Sequence, residues 1–361
     1  MPQLRTASLL LLASALAFGC ATHHDVADPD APPVVTVVDP VTSADFPPTM
    51  TSFESCLVGG GALVEVASVD NDDTREHGAL WTFAVAGDRR IAVAAEDGSI
   101  KLWTLDGFVE ELDPGAFLYG AEVDGAQVAD LAFLDGAIVA GDVRGVVSAW
   151  SEGFPRIVGG TDPDISIVAV AVDPERAWVA HADAQAGGNV MVRAMNDPVT
   201  IGPLATELVD VTDLAFVNGR LVVAGDRGLE LHDRDEPLAV VARSTFDHAV
   251  AGVTEVAASG GGELIAFVSA DAVGAVDGDL ATRWVTATVG AHVPRSVAVA
   301  ETGRTVFTVG AEGTLRAWAG ADGAPLAQVD VADPVAVRLD HTAGLAVVGS
   351  QDGVLRAFAC R

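Results

Sequence analysis

Short apolar runs, each closed by a Gly-containing turn, recur along most of this chain. The clearest copies are IAVAAEDGSIKLWTLDG (Ile91–Gly107), TVFTVGAEGTLRAWAGADG (Thr305–Gly323) and LAVVGSQDGVLRAFACR (Leu345–Arg361). Aligned on their central tight turn, the copies fall at Gly98, Gly145, Gly188, Gly228, Ala272, Gly313 and Gly353, which are 47, 43, 40, 44, 41 and 40 residues apart. Past that turn, an aromatic residue returns at Trp103, Trp150, Trp318 and Phe358. The pairs Asp97-Gly98, Glu312-Gly313 and Asp352-Gly353 suit hairpins. Gly tolerates positive φ there, and Asp bonds its own backbone.

Two further turns punctuate each copy. One precedes the central turn, as at Gly87-Asp88, Asp135-Gly136, Asn218-Gly219, Thr302-Gly303 and Ala343-Gly344. Another follows the aromatic, as at Asp106-Gly107, Glu152-Gly153, Asp277-Gly278 and Asp322-Gly323. Three turns separate four strands, so each copy reads as a four-stranded antiparallel meander. Strand-built repeats of about 40–45 residues signal propeller blades. The runs AIVAG at Ala137, LVVAG at Leu221 and LAVVG at Leu345 do not alternate with polar residues. They read as inner strands covered on both faces by neighbouring blades. FVEELD at Phe108 and PLAQVDVAD at Pro325 fit half-exposed outer strands. The expected fold is all-β, a seven-bladed propeller of four-stranded blades.

The sixth copy, Gly290–Trp318, carries Gly-x-His, an apolar strand, a turn, a Thr-bearing strand, an acidic-Gly turn and Trp. It resembles a blade of the WD-repeat propeller family, and the resemblance extends over about Leu63–Arg361. The other copies are degenerate: Trp103, Trp150 and Trp318 are followed by Thr, Ser and Ala rather than Asp. The fifth copy has Asp271-Ala272 at its turn and no aromatic after it. The resemblance implies a hydrogen-bonded network of His292, Thr308, Glu312 and Trp318 that holds the blade together. A catalytic role for His292 is the lesser reading.

The N-terminus reads as a targeting signal. Arg5 precedes the apolar run Ala7–Ala17, which is too short to span a bilayer. Ala17-Phe18-Gly19-Cys20 resembles the bacterial lipobox, which implies a signal peptide over 1–19 and lipid on Cys20. Ala21 after the Cys points to the outer membrane under the enteric sorting rule. The alternative is ordinary signal-peptidase cleavage after Ala15-Leu16-Ala17, giving a secreted or periplasmic protein. Pro and Asp dominate the segment that follows, so residues 20–52 are expected to be the lipid anchor and a disordered tether, with the propeller over 53–361.

There are three cysteines, Cys20, Cys56 and Cys360. With Cys20 lipidated, the other two make an even pair in an oxidising compartment. The last repeat ends after its third strand, while an orphan strand, ALVEVASVD (Ala62–Asp70), precedes the first. Propellers commonly close by letting one chain end complete the other end's blade. That arrangement brings Cys56 beside Cys360 and predicts a disulfide pinning the ring. Two free or buried thiols are the alternative.

Half the residues are hydrophobic and the net charge is -31. Such a charge repels phosphate backbones, so nucleic acid is not an expected partner. Lys101 is the sole lysine. No nucleophile elbow, zinc helix or phosphate loop is present. The eight histidines scatter, and His77, His181, His232, His248, His292 and His341 fall at different points of their blades. His23-His24-Asp25 and Asp70-Asn71-Asp72-Asp73 read as solvated segments rather than metal sites. HADAQAGGNV (His181–Val190) is a longer turn where a binding loop could sit. A stacking platform for sugars is not expected from one Tyr, Tyr119. The expected function is a monomeric, envelope-anchored, non-enzymatic scaffold. It would use no cofactor, bind an envelope protein through a loop face and touch the membrane only through Cys20. The alternative is a propeller enzyme with a metal or quinone cofactor on its axis, quinoprotein-like or lactonase-like.

Overall fold

The computed structural model describes residues 50–361 apart from 71–79, 88, 96–99, 105–106, 113–126, 152–153, 161–164, 186–188, 196–199, 202, 234–238, 245, 247–251 and 289–292. The segment expected to be a signal peptide, Cys20, His23-His24 and nearly all of the segment expected to be a tether therefore lie outside the described residues.

Seven four-stranded antiparallel sheets form a ring, as expected from the repeat. Their inner strands are Leu80–Val85, Val128–Leu134, Ile167–Asp173, Val211–Val217, Val253–Ala258, Pro294–Val299 and Pro334–Asp340, in blades one to seven. Each packs beside the inner strand of the next blade, and the last returns to the first. The fully apolar runs are not these strands. Ala137–Asp142, Leu264–Ser269, Thr305–Gly310 and Leu345–Ser350 are second strands, and every residue in them is buried. Second strands are covered on both faces, whereas inner strands keep one side towards the axis. Val128–Leu134 and Val211–Val217 accordingly bury every third residue. Outer strands are the most exposed, as in Thr282–Ala287 and Pro325–Asp330.

Blade seven is completed by the strand Leu63–Asp70, which pairs antiparallel with Val354–Cys360. Leu63 faces Cys360 and Asp70 faces Val354. Ala62 and Arg361 exchange backbone hydrogen bonds of 2.7 and 3.0 Å beyond the strand end. The ring is thus closed non-covalently by a full strand pairing.

A helix, α1 (Met50–Val58), precedes the closing strand. It begins inside the end of the segment expected to be tether, and the sequence reading contained no helix. Met50, Phe53 and Leu57 share one face and are buried against blades six and seven. Phe53 packs 5.4 Å from the Phe307 ring centroid. Glu54, on the same helix, is also buried, and Thr302 in a turn of blade six donates a 2.5 Å hydrogen bond to it. Burial holds the Glu54 carboxyl above its ordinary pKa, although the Thr302 bond opposes this.

Cys56 on α1 is disulfide-bonded to Cys360 at the end of the chain, with Cα atoms 5.9 Å apart. Gly61 sits against the bridge: a Cβ there would lie 2.4 Å from the Cys56 sulfur and 2.6 Å from that of Cys360. Gly59-Gly60-Gly61 is therefore a fitted turn beneath the disulfide. Gly60 itself takes a φ of 88°. Among the described residues no helix is long and apolar enough to cross a membrane.

Three outcomes follow for the closure. The native protein, alkylated after reduction, carries two more labels than when alkylated directly, by intact mass. Cys360→Ser lowers stability by about 5 kcal/mol on the chain-entropy account of a long closed loop. Phe53→Ala lowers it by about 3–5 kcal/mol through a cavity beside Phe307. Urea unfolding midpoints measure both.

Candidate functional site: the axial channel

The inner strands surround an axial cavity of about 500 Å³. Every inner strand carries a β-bulge near its start, where its register with the second strand shifts. A bulge bends and twists a strand and re-aims the side chain after it. The residues just past the bulges are Thr82, Asp130, Ala169, Asp213, Glu255, Ser296 and Ala336.

Three of these residues join neighbouring blades in the same way. Asp130 Oδ2 accepts the backbone N–H of Val170 in blade three at 2.7 Å, and its Oδ1 accepts Leu131 N–H at 2.8 Å. Asp213 repeats the arrangement, accepting Val256 N–H of blade five at 2.7 Å and Leu214 N–H at 2.8 Å. Ser296 Oγ accepts Val337 N–H of blade seven at 3.1 Å. These bonds satisfy N–H groups on the axial edge of the inner strands, which have no further strand to pair with.

Glu255 and Arg338 bridge more distant blades. Arg338 Nη1 donates to Glu255 Oε1 at 2.7 Å, and Ser296 Oγ donates to the same oxygen at 3.0 Å. The guanidinium also lies 5.9 Å from the Phe83 ring centroid, so blade seven reaches blades five and one. Glu255 and Arg338 keep 17% and 28% of their side-chain surface because they face the channel. They are nonetheless far from bulk solvent, and this depth governs their charge. Burial pushes the Asp130 and Glu255 carboxyls up, with Arg338 opposing in both cases. Burial pushes Asp213 further, and Glu255 and then Asp130 add like-charge repulsion. For Arg338, burial disfavours the charge but the three carboxylates outweigh it, so the guanidinium is held charged.

The expected residues occupy other places. Thr308 and Trp318 are buried on adjacent strands of blade six, and Trp318 Nε1 donates to Thr308 Oγ1 at 2.9 Å. Glu312, in the turn between those strands, accepts from Thr314 at 2.5 Å and pairs with Arg316 at 3.5 Å. His292, His77, His248, Tyr119 and Asn71-Asp72-Asp73 lie outside the described residues. The remaining histidines are apart: His181 is on a second strand, His232 on a third strand, and His341 follows an inner strand at the channel.

His181 is fully buried against Gly159 of blade two, where a Cβ would stand 3.1 Å from its Nε2. Neither ring nitrogen has a hydrogen-bond partner among the described residues. Burial, and secondarily Arg193, lower its pKa to about 4. His232 is also buried, with its Nε2 3.7 Å from Glu230. Glu230 anchors the connection into blade four, accepting from Thr206 at 2.7 Å, Glu207 N–H at 3.1 Å and Arg243 at 3.0 Å. The long turn of blade three is organised by Asp183, which accepts from Gln185 N–H at 3.0 Å and Asn189 at 3.2 Å. Blade five, which lacks the expected aromatic, uses Trp284 on its outer strand instead. Its Nε1 donates to the Gly320 carbonyl of blade six at 2.9 Å.

Asp130, Asp213, Glu255 and Arg338 were not singled out by the sequence reading. Their signal is present: Val-Ala-Asp-Leu-Ala-Phe at 128–133 returns as Val-Thr-Asp-Leu-Ala-Phe at 211–216. Among the described residues no three His, Cys, Asp or Glu side chains are arranged to hold a metal ion.

No family model matches the chain. Over 243 residues it is 28% identical to a curated protein of Dinoroseobacter shibae named bifunctional enzyme IspD/IspF. The aligned stretch covers 58% of this chain and 57% of that relative, so the chain spans just over half the relative's length. Likeness of this degree and extent assigns no family.

Two outcomes follow from these polar groups. Thr308→Val leaves the buried Trp318 N–H unpaired and costs about 1–3 kcal/mol, read as a lower urea midpoint. A histidine held below its ordinary pKa of 6.5 contributes stability above that value, and the contribution is lost as pH falls towards about 4. The midpoint therefore drops across that acid window by at most about 3 kcal/mol through this group. His181→Leu flattens the drop.

Proposed function

We propose that this protein is a WD-repeat-like propeller that works as a non-enzymatic interaction scaffold on the bacterial envelope, held there by lipid on Cys20. The observation that carries the non-enzymatic reading is the use made of the axial groups. Propeller enzymes need polar side chains free to act at the axis. Here both oxygens of Asp130 and of Asp213 accept backbone N–H groups, and Glu255 is taken by Ser296 and Arg338. Such groups hold blades together and leave recognition to the loops on the faces.

Two observations support the rest of the reading. The Trp318–Thr308 hydrogen bond is what the WD-repeat resemblance implies for blade six. The Cys56–Cys360 disulfide suits an oxidising compartment, which agrees with an export signal ending at Cys20. The partner on this reading is an envelope protein that binds one loop face of a monomeric disc.

Elemental analysis separates this reading from a metal-dependent enzyme. Protein purified without added metal carries no stoichiometric metal ion if the scaffold reading holds. A bound ion at one per chain overturns it. For the anchor, Cys20→Ser moves the protein from the membrane fraction to the soluble extract. Retention in the membrane fraction contradicts lipidation at this residue.

A further inference from the structure

The ion pair between blades five and seven uses only part of each charged group. Arg338 donates through Nη1 alone, to Glu255 Oε1 at 2.7 Å, Ser296 Oγ at 3.1 Å and the Val337 carbonyl at 2.9 Å. Its Nε and Nη2 have no partner among the described residues. Ser296 and Arg338 both bond Oε1 of Glu255, so Oε2 is likewise without a partner there. Both side chains line the axial cavity. Holding the blades together therefore consumes one oxygen and one nitrogen and leaves a carboxylate oxygen and a guanidinium edge spare.

These spare ends are close. Each lies one covalent width beyond the 2.7 Å contact, so a few ångströms separate them. The guanidinium edge is a donor fork that fits a carboxylate, and the glutamate oxygen fits an ammonium. Asp130 and Asp213 line the same cavity and repel an anion that brings no cation of its own. An amine alone would leave the fork unmet. The pattern calls for both charges in one small molecule, set as close together as they are on an α-amino acid.

The other polar groups of the cavity fit this division. Thr212 and Thr254 donate to the carbonyls of Val253 and Val268 at 2.6 and 3.1 Å. Thr82, on the blade-one bulge, is 6% exposed and has no hydrogen-bond partner among the described residues, which adds a spare hydroxyl to the channel. His341 lies three residues past Arg338, roughly 10 Å along an extended chain. Burial lowers its pKa against the pull of Glu301 and Asp340, so the ring adds no positive charge that competes for a carboxylate. Phe133, Val168, Val297 and Val335 supply apolar wall, and about 500 Å³ has room for one amino acid.

We propose that the axial channel binds a free α-amino acid with a small apolar side chain, its carboxylate on the Nε–Nη2 edge of Arg338 and its ammonium on Glu255 Oε2. The side chain of the ligand lies against the apolar wall. The loop faces remain the surface for a protein partner, so this site stands or falls independently of the scaffold reading.

Calorimetric titration of the purified protein with L-valine tests the proposal. One L-valine binds per chain. Butylamine and butyrate, which each carry one of the two charges, bind at least about tenfold more weakly, as does 5-aminovalerate, whose charges stand too far apart. Arg338→Lys keeps the charge but loses the fork, and it lowers the affinity for L-valine roughly 10- to 100-fold. Glu255→Gln lowers it in the same range. The four wild-type titrations decide the matter even where a variant does not fold. Absence of L-valine binding, butylamine or butyrate binding as tightly as L-valine, or a folded Arg338→Lys with wild-type affinity overturns the proposal.

Discussion

The structure depends on one strand pairing, between Leu63–Asp70 at the start of the ring and Val354–Cys360 at its end. Each blade is covered on its faces by its neighbours, so no blade is complete until the ring is. A last blade of three strands would leave the edge of Val354–Cys360 open to solvent or to another chain. The closing strand removes that edge, and α1 covers the apolar seam between blades six and seven with Met50, Phe53 and Leu57. The disulfide then ties the helix to the final strand across a sequence separation of 304 residues. Its entropic effect is large because the loop is almost the whole domain.

The axis answers a second demand of closure. Seven strands that converge on a line must bend to avoid collision, and a bulge in each inner strand provides the bend. Asp130, Asp213 and Ser296 compensate at alternate seams by taking an N–H of the next blade. Acid residues in these positions bring the cost of burying charge, which Arg338 offsets for Glu255 more than for Asp213. The polar centre of the molecule is therefore explained by holding blades together, and the same geometry leaves the loop faces as the surface for recognition.

The blade count and the closure were legible in the sequence because both rest on local signals. Turns need Gly, Asp and Asn at fixed places, and a disulfide needs two cysteines that the topology brings together. The helix was not legible. Its nine residues follow a Pro- and Asp-rich stretch, and only three side chains define its buried face. The axial cluster was hidden for another reason. Unbroken apolar runs attracted the assignment of inner strand, but these runs are the second strands, while five of the seven true inner strands are interrupted after the bulge by an acid or hydroxyl, at Thr82, Asp130, Asp213, Glu255 and Ser296. Bulges break the two-residue period on which strand reading relies. Blade five was misleading in the same way: its Trp284 sits one strand outward from the position that the repeat marks, yet it joins the same apolar cluster as Trp318.

Hydrogen exchange under native conditions tests the dependence of the ring on its closure most directly. If opening the Leu63–Asp70 strand opens the ring, its paired amides exchange as slowly as those of the second strands, in one global event. Closing-strand amides that exchange through local fraying, while the second strands of blades one to five stay protected, would contradict the account.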